Sequence, residues 1–382
     1  MNKSPNKVFV WPISTRIIHW MLAFSFTIAF IISSYEEMLH DHVALGFIFG
    51  IMIIYRIIWG FIGPKYARFS TFKLNLSQLK FYFVEKIQDR WRAIPAGHNP
   101  ASSWFTIWAM IMGSIIVTSG MLLYGIQEAK GFLSFLNDNY YNQMDIWMLV
   151  HKSASYIFLF WVFLHISGVM IEQFYHKTNM VLAMITGYKR AKGEDTEVSK
   201  KLNFFAYSII IIAIATYSFI TSSNYNFLTS QKFTSIDYKA QNPIFVEKCG
   251  DCHKIYPPFL LPKASWSRVM RGLDNHFGEK ITEANITKSQ QSTIKSFLYA
   301  NSAEKSTRES SVKIMKSLGK RRPKAITKTP YWRERHKDID KAIFKTKEVK
   351  DKSNCIACHN NIDKGMIDDM DITIYRIKKN KD

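Results

Sequence analysis

Residues 146–171 read IWMLVHKSASYIFLFWVFLHISGVMI, a run with two histidines, one lysine and no acidic group. About 20 mostly apolar residues in one helix span a bilayer, so the run predicts a membrane helix. Its polar exceptions decide more than its apolar bulk. His151 and His165 are 14 residues apart, which in an α-helix is about 21 Å of rise and within about 40° of one face. Ionisable groups at such depth are costly and as a rule functional. Each of the two therefore calls for a partner on a facing helix.

Four further runs have the same character: 17–34 (IIHWMLAFSFTIAFIISS), 43–62, 104–124 and 204–222. Lipid offers no water to satisfy backbone groups, so all five are expected as helices. The averages over all 382 residues hide this. Mean hydropathy is −0.08 and net charge +21, yet residues 223–382 alone carry 32 Lys+Arg against 18 Asp+Glu, or +14. A content of 47% apolar and 15% aromatic residues excludes disorder. Four cysteines are too sparse for a disulfide scaffold.

Loop charges give an orientation. Segments 1–16, 63–103 and 172–203 hold three, seven and six Lys/Arg, whereas 35–42 and 125–145 together hold one. The positive-inside rule makes the first group cytoplasmic, and five crossings place everything after residue 222 outside, in the periplasm of a bacterial inner membrane. Lys3, Lys7 and Arg16 resemble the charged start of a signal peptide. No small-residue cleavage site follows, so the first span is expected to stay uncleaved. Residues 74–91 (LNLSQLKFYFVEKIQDRW) form a basic amphipathic stretch expected to lie along the inner membrane surface or to pack, solvated, on the bundle. The expected organisation is a membrane domain over 1–200, a fifth span over 201–222, a polar linker over 223–242 and an external domain over 243–382.

The depths of the histidines match in pairs. His19 and His165 fall near the inner surface, His42 and His151 near the outer one. Two bis-imidazole haem sites stacked across the membrane account for all four, because facing helices of a bundle are where such sites are built. Zinc or copper would not need two pairs held so far apart. His40 competes with His42 for the outer site; His42 is nearer the bilayer and has Gly46 one turn on, which leaves room for a flat macrocycle. His98 and His176 are expected to be solvated near the inner surface. Arg56 either contacts a haem propionate or snorkels to the headgroups.

All four cysteines lie in C-x-x-C-H: CGDCH (249–253) and CIACH (355–359). This is the signal for covalent c-type haem. Two thiols one turn apart, Cys249 with Cys252 and Cys355 with Cys358, add to the vinyl groups, and His253 or His359 coordinates the iron. A single four-thiolate zinc site is the alternative, but it needs no histidine after each pair. Sixth ligands are His276 and His336 or one of Met270, Met315, Met366 and Met370. Two otherwise unexplained histidines for two haems favour bis-His ligation, with His276 at the first haem and His336 at the second by chain proximity.

The N-terminal half resembles the bacterial di-haem cytochrome b family that includes cytochrome b561 and the membrane cytochrome b of nickel–iron hydrogenases. The likeness rests on WPISTRIIHW (11–20), RIIWGFIGPKYARF (56–69), the spaced His151 and His165, and MITGYKR (184–190). It implies a four-helix core with two non-covalent haems b and exchange of electrons with membrane quinone or quinol. Residues 246–365 resemble the small bacterial dihaem cytochrome c family through CGDCHKIYPPFLLP (249–262), SWSRVMRGLDNHFGE (265–279), TKTP (327–330) and CIACH (355–359). That resemblance implies bis-His, low-potential haems c and a periplasmic haem protein as partner. The basic tail from Arg376 to Lys381 departs from it.

The expected fold is all-α: a four-helix haem b bundle, a fifth transmembrane helix and a small, mainly helical dihaem cytochrome c domain. Four haems without a nucleophile, acid–base pair or nucleotide-binding glycine motif describe a wire from quinol to a soluble acceptor. A carrier and a quinol:cytochrome c-type oxidoreductase both fit. The +14 domain favours an acidic partner rather than nucleic acid, which is absent outside the membrane. The alternatives are a hydrogenase or dehydrogenase subunit passing electrons inward, a haem-based redox or gas sensor, and a terminal reductase with a five-coordinate haem.

Overall fold

A computed structural model describes residues 7–375 apart from 88–94, 176–177, 198–199, 224–225, 252, 279–285, 369–370 and 374. The first part of the chain forms α1 (Ile13–Ile32), α2 (Leu39–Ile62), α3 (Leu76–Ile87), α4 (Pro100–Ile126), the one-turn α5 (Asn137–Tyr140), α6 (Met144–Met170), α7 (Met180–Thr186) and α8 (Lys200–Thr221). Then follow α9 (Tyr238–Gln241), α10 (Pro243–Gly250), α11 (Lys263–Arg271), α12 (Lys288–Ala300), α13 (Glu309–Leu318) and α14 (Pro330–Arg335). Two compact units result: Met1–Leu122 with Asp145–Asn226, and Leu123–Met144 with Phe227–Asp382.

In the first unit, α1, α2 and α8 meet over Ile18, Met52, Trp59, Ile209 and Ala213. Trp59 is fully buried, and its indole N–H donates to Thr15 Oγ1 at 3.0 Å. A second cluster joins α1, α2, α4 and α6 through Phe26, Phe49, Ile116 and Phe158. A two-stranded antiparallel sheet, β1 (Lys7–Phe9) with β2 (Tyr188–Arg190), pairs Val8 with Lys189. It ties the start of α1 to the end of α7, where Trp20 donates to Met184 O at 3.0 Å.

The outward faces of the bundle are apolar, with Phe24, Phe61, Leu149, Phe163 and Ile211 exposed. Apolar surface on that scale marks contact with a membrane. Among the described residues four helices are long and apolar enough to cross: α1, α2, α4 and α6. In α8 the described apolar stretch is Tyr207–Thr221, the side chains of residues 200–203 and 206 lying outside the described residues. The amphipathic stretch forms α3, which exposes Leu76, Phe81, Phe83 and Val84. Its Tyr82 accepts from Asn99 Nδ2 at 3.0 Å and meets Glu172 Oε1 at 3.3 Å. Residues 88–91 of that stretch lie outside the described residues.

The second unit is built from short helices begun by caps. Asn242 accepts from the Phe245 amide with Pro243 in the first turn, Thr287 and Gln290 form a capping box, and Thr329 caps α14 ahead of Pro330. One core cluster holds Tyr238, Phe245, Trp266, Ile294 and Leu298; another holds Phe259, Leu260, Ile314, Leu318 and Ile362. The polar run 223–242 is not a bare linker over its second half. Tyr238 is buried in the core, and the Ile236 amide donates to Lys364 O at 2.9 Å, since two apolar side chains suffice to anchor it.

Ile294 is fully buried in the larger cluster. Its replacement by alanine is expected to cost about 2–5 kcal/mol, the range for large-to-small core changes. Thermal unfolding of the full chain, followed by near-ultraviolet circular dichroism, measures it. A change below about 1 kcal/mol would mean that the cluster closes over the missing atoms.

Candidate functional site

Eight of the eleven histidines meet in four pairs of similar spacing. Ring centroids are 6.4 Å apart for His19 and His165, 6.1 Å for His42 and His151, 6.4 Å for His253 and His276, and 6.1 Å for His336 and His359. Two imidazoles that bind one metal from opposite sides at about 2 Å hold their ring centres about 6 Å apart. All four separations fit that geometry. Among the described residues no three His, Cys, Asp or Glu side chains converge as an all-protein metal site.

Local bonding orients the rings. His42 Nδ1–H donates to Ala29 O at 2.9 Å, and His151 Nδ1–H donates to Ile116 O at 3.0 Å. A carbonyl only accepts, so the proton sits on Nδ1 and the Nε2 lone pair is left for a ligand. His336 does the same to Trp332 O at 2.8 Å and His253 to Lys254 O at 2.7 Å. His19 Nδ1 is buried with no hydrogen-bond partner among the described residues. Phe105 stacks on His165 at 4.6 Å and 10°.

The glycines near the rings have different surroundings, Gly168 lying exposed and Gly46 half-buried. A Cβ at Gly46, four residues after His42, or at Gly168, three after His165, would meet nothing within 4 Å. At Gly120 a Cβ would stand 2.9 Å from the His151 ring, so only glycine lets that ring lie against α4. Gly168 and Gly120 escaped sequence reasoning; their signal was a glycine one turn from, or facing, a buried histidine. Between the two membrane pairs lies an aromatic layer, in which Phe158 is 4.6 Å from Phe26, 5.9 Å from Phe49 and 5.8 Å from Trp108.

In the second unit Cys249 lies in the last turn of α10, while Cys355 and Cys358 flank a short 3-10 turn in which the His359 amide donates to Cys355 O at 2.8 Å. Cys252, Met370 and the tail 376–382 lie outside the described residues, as does His176. Met270 is buried in the hydrophobic core. Tyr256 links the two motifs: its ring lies 4.9 Å from that of His253, and its hydroxyl donates to Ser353 O at 2.7 Å.

Arg56 has a buried Nη1 with no partner among the described residues, and its guanidinium lies 5.5 Å from the Phe69 ring and 5.8 Å from Phe72. His98 is not solvated as expected. Its ring sits 4.6 Å from Phe72 and 5.1 Å from Trp11, and Nδ1 donates to Tyr66 O at 3.1 Å. Loss of solvent, and then the nearby Arg56, push its pKa down to about 3.

Residues 10–187 match the family of prokaryotic cytochrome b561, and residues 245–367 match dihaem cytochrome c. The chain joins a cytochrome b561 domain to a dihaem cytochrome c domain. Electron transfer through a membrane haem protein is thereby implied. The "Probable Ni/Fe-hydrogenase B-type cytochrome subunit" of Bradyrhizobium diazoefficiens is 23% identical over 217 residues, covering 48% of this chain and 86% of that protein. The "Probable Ni/Fe-hydrogenase 1 B-type cytochrome subunit" of Escherichia coli is 22% identical over 167 residues, 40% of this chain and 69% of that one. Among solved structures, diheme cytochrome c from Rhodobacter sphaeroides is 27% identical and covers 35% of this chain and 100% of its own, with a TM-score of 0.30.

A histidine kept neutral in the fold, with a pKa near 3 against the ordinary 6.5, contributes stability above about pH 6.5. That contribution is lost as pH falls toward 3, by at most about 1.4 kcal/mol per unit. His98→Gln is therefore expected to reduce the loss of melting temperature between pH 7 and pH 5. An unchanged loss would show that other groups titrate.

Proposed function

We propose that the chain carries electrons from a membrane quinol through two haems b to two haems c and on to a soluble, acidic haem protein. In this reading His19 with His165 holds the inner haem b and His42 with His151 the outer one. Cys249 with Cys252, and Cys355 with Cys358, attach the haems c, whose axial ligands are His253 with His276 and His359 with His336. The observation that carries the reading is the recurrence of one ring separation, 6.1–6.4 Å, in all four pairs.

When bound, each haem supplies one-electron iron chemistry. The residues define what kind. Imidazoles on both faces leave no coordination position open, which favours relay over chemistry on a small substrate and counts against a terminal reductase. Arg56, with its unsatisfied Nη1, offers a positive charge to a propionate.

The proposed topology has the N-terminus in the cytoplasm and the second unit in the periplasm, with α8 as a fifth crossing. Loop charges support it. The 22 residues of α8 span about 33 Å, enough for a bilayer core. Excess positive charge on the periplasmic unit favours an acidic acceptor and makes association salt-sensitive.

A second reading sends electrons inward to quinone, and the hydrogenase-subunit names of the two relatives favour it. Mixing the purified protein with a reduced quinol while following the α-bands separates the two directions. Pyridine-haemochrome analysis is expected to return b and c haem in equal amounts; c haem alone would sink the membrane half of the proposal. His165→Ala is expected to abolish quinol-driven reduction of the c haems while both stay covalently attached. Persistence of that reduction would remove the inner pair from the route.

A further inference from the structure

We infer that Tyr256 is the positioning residue that sets the two c-type haem sites against one another and carries the electronic coupling between them. The inference rests on the haem ligands proposed above. Tyr256 stands three residues after the CGDCH motif, and what it touches at its two ends belongs to different sites.

At one end the Tyr256 ring lies 4.9 Å from the His253 ring, at 37°, a contact within the range of paired aromatic groups. His253 in turn faces His276 as an axial pair. At the other end the Tyr256 hydroxyl donates to Ser353 O at 2.7 Å. The same carbonyl accepts from the Cys355 amide at 2.8 Å, and the Cys355 thiol is near enough to act on the hydroxyl electrostatically. One ring contact and two hydrogen bonds to Ser353 O therefore connect the imidazole of the first site to the residue that attaches the second haem.

Both ends are held. Pro257 follows Tyr256, which confines the tyrosine backbone to extended conformations, and the Trp266 indole N–H donates to Pro258 O at 2.7 Å in the buried core. Ser353 is fixed by Asp351 Oδ1, which accepts from its amide at 2.8 Å and from its hydroxyl at 2.6 Å. A tyrosine that served packing alone would need its ring but no directed hydroxyl. Electron tunnelling weakens steeply across empty space and less through bonded and hydrogen-bonded atoms, so a rigid path of this kind favours exchange between the two sites. One electron moves, one iron is oxidised as the other is reduced, and Tyr256 keeps its proton throughout.

The test compares the full chain in detergent with Tyr256→Phe, which keeps the ring and loses the hydroxyl, and Tyr256→Leu, which loses both. The rings of His253 and His276 cross at 19°, those of the other three pairs at 55°, 81° and 61°. The ferric first haem c is therefore expected to give a low-spin electron paramagnetic resonance signal of its own. Its equilibration with the other haems after a substoichiometric pulse of reductant is read by freeze-quench. That rate is expected to fall about tenfold in Tyr256→Phe and further in Tyr256→Leu, the scale on which lost positioning shows in a rate. The g values and the c-haem content should stay those of the wild type, and hydrogen exchange over residues 353–358 should quicken in both variants. An unaltered rate in either variant, or unaltered hydrogen exchange, overturns the inference. Should Tyr256→Leu fail to accumulate with both haems attached, Tyr256→Phe, which keeps the ring against His253, decides alone. A wild-type chain without two covalent c haems overturns the ligand reading beneath the inference, and pyridine-haemochrome analysis identifies that failure separately.

Discussion

Seven residues of α-helix turn through close to two revolutions and rise about 10 Å, and the membrane unit is built on that repeat. Phe26 follows His19 by seven residues, Phe49 follows His42 by seven, and Phe158 stands midway between His151 and His165. Each helix thus presents a histidine and an aromatic ring on one face, two turns apart. The facing rings interleave into two histidine pairs with the phenylalanines between them. Burying an imidazole this way costs about 1–3 kcal/mol for each unsatisfied polar atom, and second lone pairs offset the cost. Ala29 O accepts from the Ser33 amide at 3.1 Å and from His42 at 2.9 Å, so His42 is satisfied without breaking the helix.

The second unit solves the same positioning problem with little helix to work with. Its segments are begun by Asn242, Thr287 and Thr329 caps, each contributing about 1 kcal/mol. His276 and His336 lie just past the ends of short helices, where the backbone is free to aim them at His253 and His359. Tyr256 ties the two motif segments through one ring contact and one hydrogen bond. A domain of short helices has a limited apolar core, and covalent haem is a natural supplement to it.

What was legible in the sequence follows from what is local. Histidines in apolar runs reveal themselves by their cost, and helical periodicity then says which depths match. C-x-x-C-H is read from five consecutive residues. The order of the pairs in space, His253 with His276 and His336 with His359, also follows chain proximity. What stayed hidden depends on contacts distant in sequence. Lys130 and Asp368, paired at 2.7 Å, are 238 residues apart, and nothing near either announces the other. His98 looked like a surface group because its neighbours in sequence are polar or small, whereas Trp11 and Phe72 enclose it. The apolar run 204–221, which carries no charged residue, is legible from composition alone.

Residues 123–144 fall within the cytochrome b561 match yet group with the second unit. The boundary between families and the boundary between folding units therefore differ, and the difference has a physical cause. A loop that only spans two helix ends can be any polar sequence. A loop that must recognise one surface needs contacts that fail elsewhere. Buried ion pairs add little net stability, since desolvation consumes most of their attraction, but a misplaced partner leaves an unpaired buried charge and costs several kcal/mol. Lys130 and Asp368 penalise every wrong placement of the segment in this way, and Asn137, with both its amide groups bonded, does so by the same logic with neutral groups. An apolar loop of equal area would bind as strongly and specify less.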